Sequence, residues 1–139
     1  MPSLTAPSRW LQPLADCLDG RQPHVQLFEQ DDELSLQCHE LQVVLRVQLT
    51  HPGLDIYPMQ AWQRLGQASL AHFKGALALS PVTGQLWLVQ GLARDCSLNH
   101  LMSALEALLN QRDTWRCIVA RLAKPAHTRQ ALALRKPLH

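Results

Sequence analysis

Cys96 and His100 are four positions apart, a spacing that puts a thiol and an imidazole on one face of a helix. A tetrahedral metal site needs two further ligands, and no obvious pair completes the set. The acidic run Glu29–Glu33, with Asp31, Asp32 and Glu33, carries enough carboxylate to hold a cation. Between two strand-like runs it reads better as a solvated hairpin turn. Seven histidines are scattered: His24, His39 and His51 at strand edges or turns, His72 and His100 on helices, His127 and His139 near the C-terminus. The first three and last two read as solvated surface side chains, and His72 and His100 as facing solvent or capping an edge rather than binding metal. The four cysteines Cys17, Cys38, Cys96 and Cys117 include no C-x-x-C pair, so reduced structural thiols are expected. A Gly-rich phosphate loop, H-E-x-x-H, G-x-S-x-G and a paired-carboxylate motif are all missing from the sequence. No catalytic residue, cofactor site or metal ligand is assigned, and an enzyme is not expected. The remaining chemical alternative is a small enzyme assembled only in a dimer, using Cys96, His100 or the acidic turn.

Charge is divided unevenly. Residues 1–120 hold eight Lys/Arg and eleven Asp/Glu, a net −3, whereas residues 121–139 hold five Lys/Arg and no acid, a net +5. The whole-chain value of +2 therefore does not describe a nucleic-acid-binding body. The basic tail has no aromatic side chain to stack on bases, and it reads as a solubilising terminus. Docking on an acidic protein and weak nucleic-acid contact are its alternatives. A chain of 139 residues is the size of one domain and buries about two-thirds of its unfolded surface without staples. We expect one α+β domain at residues 1–124 and a flexible basic tail at 125–139. The opening MPSLTAPSRW lacks the basic and apolar regions of a secretory signal, and no stretch is apolar enough to span a membrane. A soluble, cytoplasmic protein is expected.

The elements that must position these groups follow from hydrophobic period. Ser8–Asp19 predicts a short helix with Trp10, Leu11, Leu14 and Leu18 on one side, ended by Gly20. Pro13 fits only its first turn, so the helix can begin one turn later. His24–Glu29, Glu33–Cys38 and Leu41–Leu49 alternate as strands. Pro58 suits the first turn of a second helix that ends near Gly75, with Met59, Trp62, Leu65, Ser69, Leu70 and Phe73 on its apolar side. Leu77 and Leu79, a Ser80–Gly84 turn, then Leu86 and Leu88 predict a hairpin, with Gly84 free to take φ > 0. Ser97 can cap a long helix whose stripe runs from Leu98 to Leu122, and Pro125 is expected to end it. The order is α-β-β-β-α-β-β-α, a twisted antiparallel sheet flanked by helices in the α+β class.

The strand Leu86–Gln90 is apolar on both faces. One face can be covered by the chain's own helices, and a second subunit is the simplest cover for the other. Trp115 fits the helical stripe as core. Trp62 and Trp87 are better interface candidates, because Trp is enriched at protein interfaces.

The element order, with LALSPVTGQLWLVQGL followed by LNHLMSALEALLNQRDTW, resembles the class I type III secretion chaperones over about residues 8–122. LADCLDGRQPHV and LQVVLRVQL are similar to the YscB-type branch, one half of a heterodimer that serves the YopN-like secretion gatekeeper. The basic tail departs from the acidic homodimeric chaperones of the family. The resemblance implies a dimeric, ATP-independent chaperone without catalysis or cofactor. It implies a partner that is a second small class I chaperone subunit, or a second copy of the chain. It implies as cargo the N-terminal chaperone-binding segment of a secreted protein. By the same resemblance the dimer interface would use Trp62, Leu65, Ser69, Phe73, Trp87 and Val89. Cargo would meet Trp10, Leu14, Val25, Leu27, Leu34 and Leu36. A homodimeric effector chaperone of the same family, and a generic α+β adaptor with a nucleic-acid-contacting tail, are the alternatives.

Overall fold

Leu27, Leu34, Val47, Leu88 and Leu77 stand opposite one another in a single row that crosses five strands. Alternation makes this possible, since every second side chain of a strand points to the same face. The computed structural model describes residues 8–51, 59–68 and 73–135; Pro58, Ser69, Leu70, His72 and His139 lie outside the described residues. The elements are α1 (Leu11–Leu18), β1 (His24–Glu29), β2 (Asp32–Cys38), β3 (Gln42–Gln48), α2 (Met59–Ala68), β4 (Ala76–Leu79), β5 (Leu86–Ala93) and α3 (Leu98–Arg135). All strand pairs are antiparallel, in the order β1-β2-β3-β5-β4. The expected α-β-β-β-α-β-β-α order is the one observed.

Helices cover one face of the sheet. α1 and α3 pack on the inner side chains, and Trp10, Leu14, Leu36, Leu45, Leu101, Leu105 and Trp115 join one core. α1 begins at Leu11, after a 3-10 turn at Ser8–Trp10, which leaves Pro13 in the first turn. Backbone N–H groups there have no helical partner, so the proline costs nothing. Gly20 closes the helix at φ 80°, its N–H donating to the Cys17 carbonyl. Ser97 caps α3, its hydroxyl accepting from the His100 N–H at 3.0 Å. In the β4–β5 turn Gly84 takes φ 75° and its N–H donates to the Ser80 carbonyl.

Four local expectations are corrected. Residues 73–75 are not helical, so the second helix does not run to Gly75. Gly75 instead lies flat against α3, where the Gln111 amide accepts from its N–H and donates to its C=O, each at 3.0 Å. A Cβ at Gly75 would sit 2.5 Å from Leu108 Cδ1 and 2.6 Å from Gln111 Oε1. Gly75→Ala is therefore expected to cost about 1–3 kcal/mol, read as a lower urea midpoint at an unchanged m-value.

Second, α3 continues through Pro125 to Arg135. Proline removes one helical donor, and the flanking Ala and Leu residues are strong helix formers that carry the backbone on. Among the described side chains of α3 the last buried one is Val119, and Leu122 is exposed. Third, Asp32 is a buried residue opening β2 rather than part of a solvated turn; the turn residues are Gln30 and Asp31. Fourth, Cys17 and Cys38 are joined as a disulfide that ties α1 to the end of β2, with Cα atoms 6.3 Å apart. Their separation of 21 residues carries no pairing signal, because the packing of α1 over the sheet is what brings them together. Cys96 and Cys117 are free.

Candidate binding surfaces

Asp32 organises the end of the β1–β2 hairpin. Arg116 grips its carboxylate with both terminal nitrogens, at 3.0 and 3.1 Å, and Arg112 reaches it at 3.0 Å. His51 Nε2 lies 2.7 Å from the same carboxylate. Arg112 also donates to Glu29 at 2.5 Å, and Arg116 Nε donates to the Leu49 carbonyl at 3.0 Å. Burial works to raise the Asp32 pKa, but the Arg116 hydrogen bonds and the charges of Arg116, Arg112 and His51 outweigh it. Its carboxyl is held below the usual 3.8. The two arginines are one helical turn apart on α3, so the helix fixes three strand ends at once.

The hairpin held in this way has an edge that no other strand of the described residues pairs. β1 is the outermost strand on its side of the sheet. The Cys38 N–H donates to the Pro23 carbonyl, which sets the odd-numbered residues of β1 as the hydrogen-bonded partners of β2. The backbone N–H and C=O groups of His24, Gln26 and Phe28 therefore point away from the sheet. Phe28 is 52 % exposed. An extended chain can pair with such an edge.

The outer sheet face is divided. Toward β1 and β2 it carries His24, Glu33, Ser35 and Gln37, with Arg46 from β3. Toward β4 and β5 it carries Ala78, Trp87 and Val89, with Leu79 and Pro81 at the rim. Together they line a groove of about 470 Å³. Trp87 and Val89 are half-buried, and no helix of the described residues covers them. A second, smaller groove of about 270 Å³ lies beside α3, lined by Phe73, Lys74, Gln90, His100, Ala104 and Gln111.

The residues expected to meet a partner fall into two groups. Trp87, Val89 and Phe73 line the two grooves. Trp62 and Leu65 are 2 % and 8 % exposed and belong to the chain's own core. Ser69 lies outside the described residues. Of the expected cargo positions, Trp10, Leu14, Val25, Leu34 and Leu36 are buried and Leu27 is partly buried against the same core. These side chains belong to the core beneath β1 and α1, and the large apolar groups exposed there are Phe28 on β1 and Leu11 on α1. Sequence reasoning missed Phe28 because it lies out of phase with Val25 and Leu27, on the face that alternation assigns to water. The Arg112–Arg116 pair was also missed. Two charges inside the Leu-rich stripe, at a four-residue spacing, were the available signal.

Cys96 and His100 do not form a metal set, and among the described residues no group of three or more His, Cys, Asp or Glu could hold a metal ion. The Cys96 thiol is pushed up by burial and by the charge of Asp95, which weakens it as a nucleophile. Among the described residues no helix is long and apolar enough to cross a membrane.

No family model matches the chain, and no curated protein matches it. Solved structures do. A chain of the HopA1–SchA chaperone–effector complex aligns with a TM-score of 0.58 and 21 % identity, covering 78 % of this chain and 95 % of that one. A chain of the ExsC–ExsE complex aligns with a TM-score of 0.61 and 15 % identity, covering 83 % of this chain and 96 % of that one. At these identities the likeness is one of fold.

Proposed function

We propose that this protein is a type III secretion chaperone of the class I kind. It holds the N-terminal segment of a secreted protein in an extended, export-competent form, without nucleotide hydrolysis or other catalysis, and works in the bacterial cytoplasm. The observation that carries the reading is the fold it shares with a chain of a chaperone–effector complex over 78 % of its length. The open backbone edge of β1 beside exposed Phe28 supports it, since strand addition gains main-chain hydrogen bonds and leaves alternate side chains to set specificity.

The unit is a dimer built on the apolar half of the outer face, with Trp87 and Val89 at its centre and Phe73 at its margin. Trp62 and Leu65 support α2 from within. The sharper form of the proposal is a heterodimer with a second small chaperone, serving a gatekeeper substrate, as the YscB-type resemblance suggests. Residues 1–124 are the chaperone domain, and the basic 125–139 segment is accessory to it. The second reading is an effector chaperone acting as a homodimer, favoured because HopA1–SchA is itself a chaperone–effector complex.

Light scattering on the chain alone, and after co-expression with small open reading frames encoded beside it, tests both forms. A one-to-one complex with a second small protein supports the gatekeeper form. A homodimer that captures an effector N-terminus supports the effector form. A monomer that captures no secreted segment in either setting overturns both. Phe28→Glu is expected to weaken segment binding by about tenfold or more, with an unchanged melting curve because the ring is already half exposed.

A further inference from the structure

We propose that Cys17 and Cys38 are a reversible thiol–disulfide pair that exchanges with small thiols through Cys38 and, when oxidised, pins α1 to the sheet. The pair is placed for this. Cys17 lies in the last turn of α1 and is fully buried, while Cys38 ends β2 and is only partly buried. An incoming thiolate therefore reaches the Cys38 sulfur first. It forms a mixed disulfide there and expels Cys17 as the thiolate, which takes up a proton. A second small thiol then attacks its own kind in the mixed disulfide and releases Cys38 as a thiol. The two electrons come from the two small thiols, which leave as their disulfide. Oxidation by a small-molecule disulfide runs the same steps in reverse.

The reduced state needs only that the two sulfurs move apart to van der Waals contact by side-chain rotation. Cys38 Sγ lies 2.9 Å from the Cys17 carbonyl oxygen, so a Cys38 thiol has an acceptor in place. Cys17 as a thiol remains a small apolar side chain in the core. What changes is the tether. α1 has only eight residues, too few to persist alone; besides the packing of Leu14, Cys17 and Leu18 on the core, its C-terminal end is held by the Arg94 hydrogen bond to the Leu18 carbonyl at 2.6 Å. The disulfide closes a 21-residue stretch containing β1 and most of β2, so it constrains the helix together with the open edge strand. Cys96 and Cys117 are not partners in this, since both are free.

The test equilibrates the full chain in buffers of graded reduced-to-oxidised glutathione ratio, followed by acid quench, alkylation and peptide mass mapping. Cys17 and Cys38 should become protected together in one step, while Cys96 and Cys117 stay alkylated. The oxidised form should melt roughly 10 °C higher. It should also show at least tenfold slower amide exchange across Leu11–Leu18. Cys38→Ser should abolish the redox dependence of both readings, and Cys117→Ser should retain it. If Cys17 and Cys38 are alkylated at every ratio, the pair does not form and the proposal fails. If they link but α1 exchange and melting do not respond, the link is not a tether and the proposal fails equally.

Discussion

Asp32→Asn is expected to lower the stability of the chain by about 3–5 kcal/mol, a large share of what holds a domain of this size folded. The amide keeps the shape but takes from Arg116 the carboxylate it grips with both terminal nitrogens, and from Arg112, whose side chain is 5 % exposed, one of the three it meets, leaving Glu29 and Asp113. A buried guanidinium cannot shed its proton to escape, so the desolvation cost falls on the fold. Glu29→Gln should cost less, because Glu29 is 36 % exposed and water replaces much of what is lost. The same Asp32 carboxylate predicts an acid dependence. Its folded pKa lies below 3.8, so its contribution is complete above the unfolded value and disappears as pH falls through the folded one. Urea midpoints measured from pH 7 down to acid should fall for the natural chain and converge on those of Asp32→Asn. Parallel curves would mean that the Asp32 charge is not what stabilises the hairpin.

Trp87→Arg is expected to raise the dissociation constant of the proposed dimer by about 30- to 1000-fold while leaving the fold intact. Trp87 is half-buried on the outer face, opposite Gln48 and Ala78 in the register, with Arg46 as its charged diagonal neighbour on β3. A tryptophan in that setting supplies a large apolar contact to a partner and little to its own core. Val89→Glu should act in the same direction from the neighbouring row. Sedimentation or light scattering across a concentration series reads the shift, and circular dichroism reports whether the fold survives. A variant that dimerises like the natural chain would place the partner elsewhere, with the groove beside Phe73 and α3 next in line.

Much of the architecture follows from local pattern. The strand His24–Glu29 has the bounds expected from alternation, and the two-faced apolar β5 leaves Trp87 and Val89 on the uncovered side. Gly20, Gly84 and Ser97 act where turn and cap chemistry places them. These features are legible because each depends on neighbours within a few positions. The end of the second helix was not legible, because Gly75 is held by Gln111, 36 positions away. Pro125 misled for the opposite reason: its local preference against helix is weaker than the propensity of the residues around it.

The candidate surfaces divide along the same line. Periodicity shows which residues are apolar and on which face they lie, and so it marked Trp10, Leu14, Leu34 and Leu36 as important. It does not show whether an apolar face meets the chain's own helices or a partner, and here the chain's own core takes them all. The sequence by itself determined the class of the fold and the acidic body with a basic end. Tertiary structure alone decided three things: that Asp32 meets Arg116 across 84 positions, that Cys17 meets Cys38, and that the backbone of His24, Gln26 and Phe28 faces away from the sheet, with no strand of the described residues beside it. Each is a contact or an exposure between segments distant in sequence. It is set by how helices settle on the sheet, a global packing choice that no short window of residues encodes.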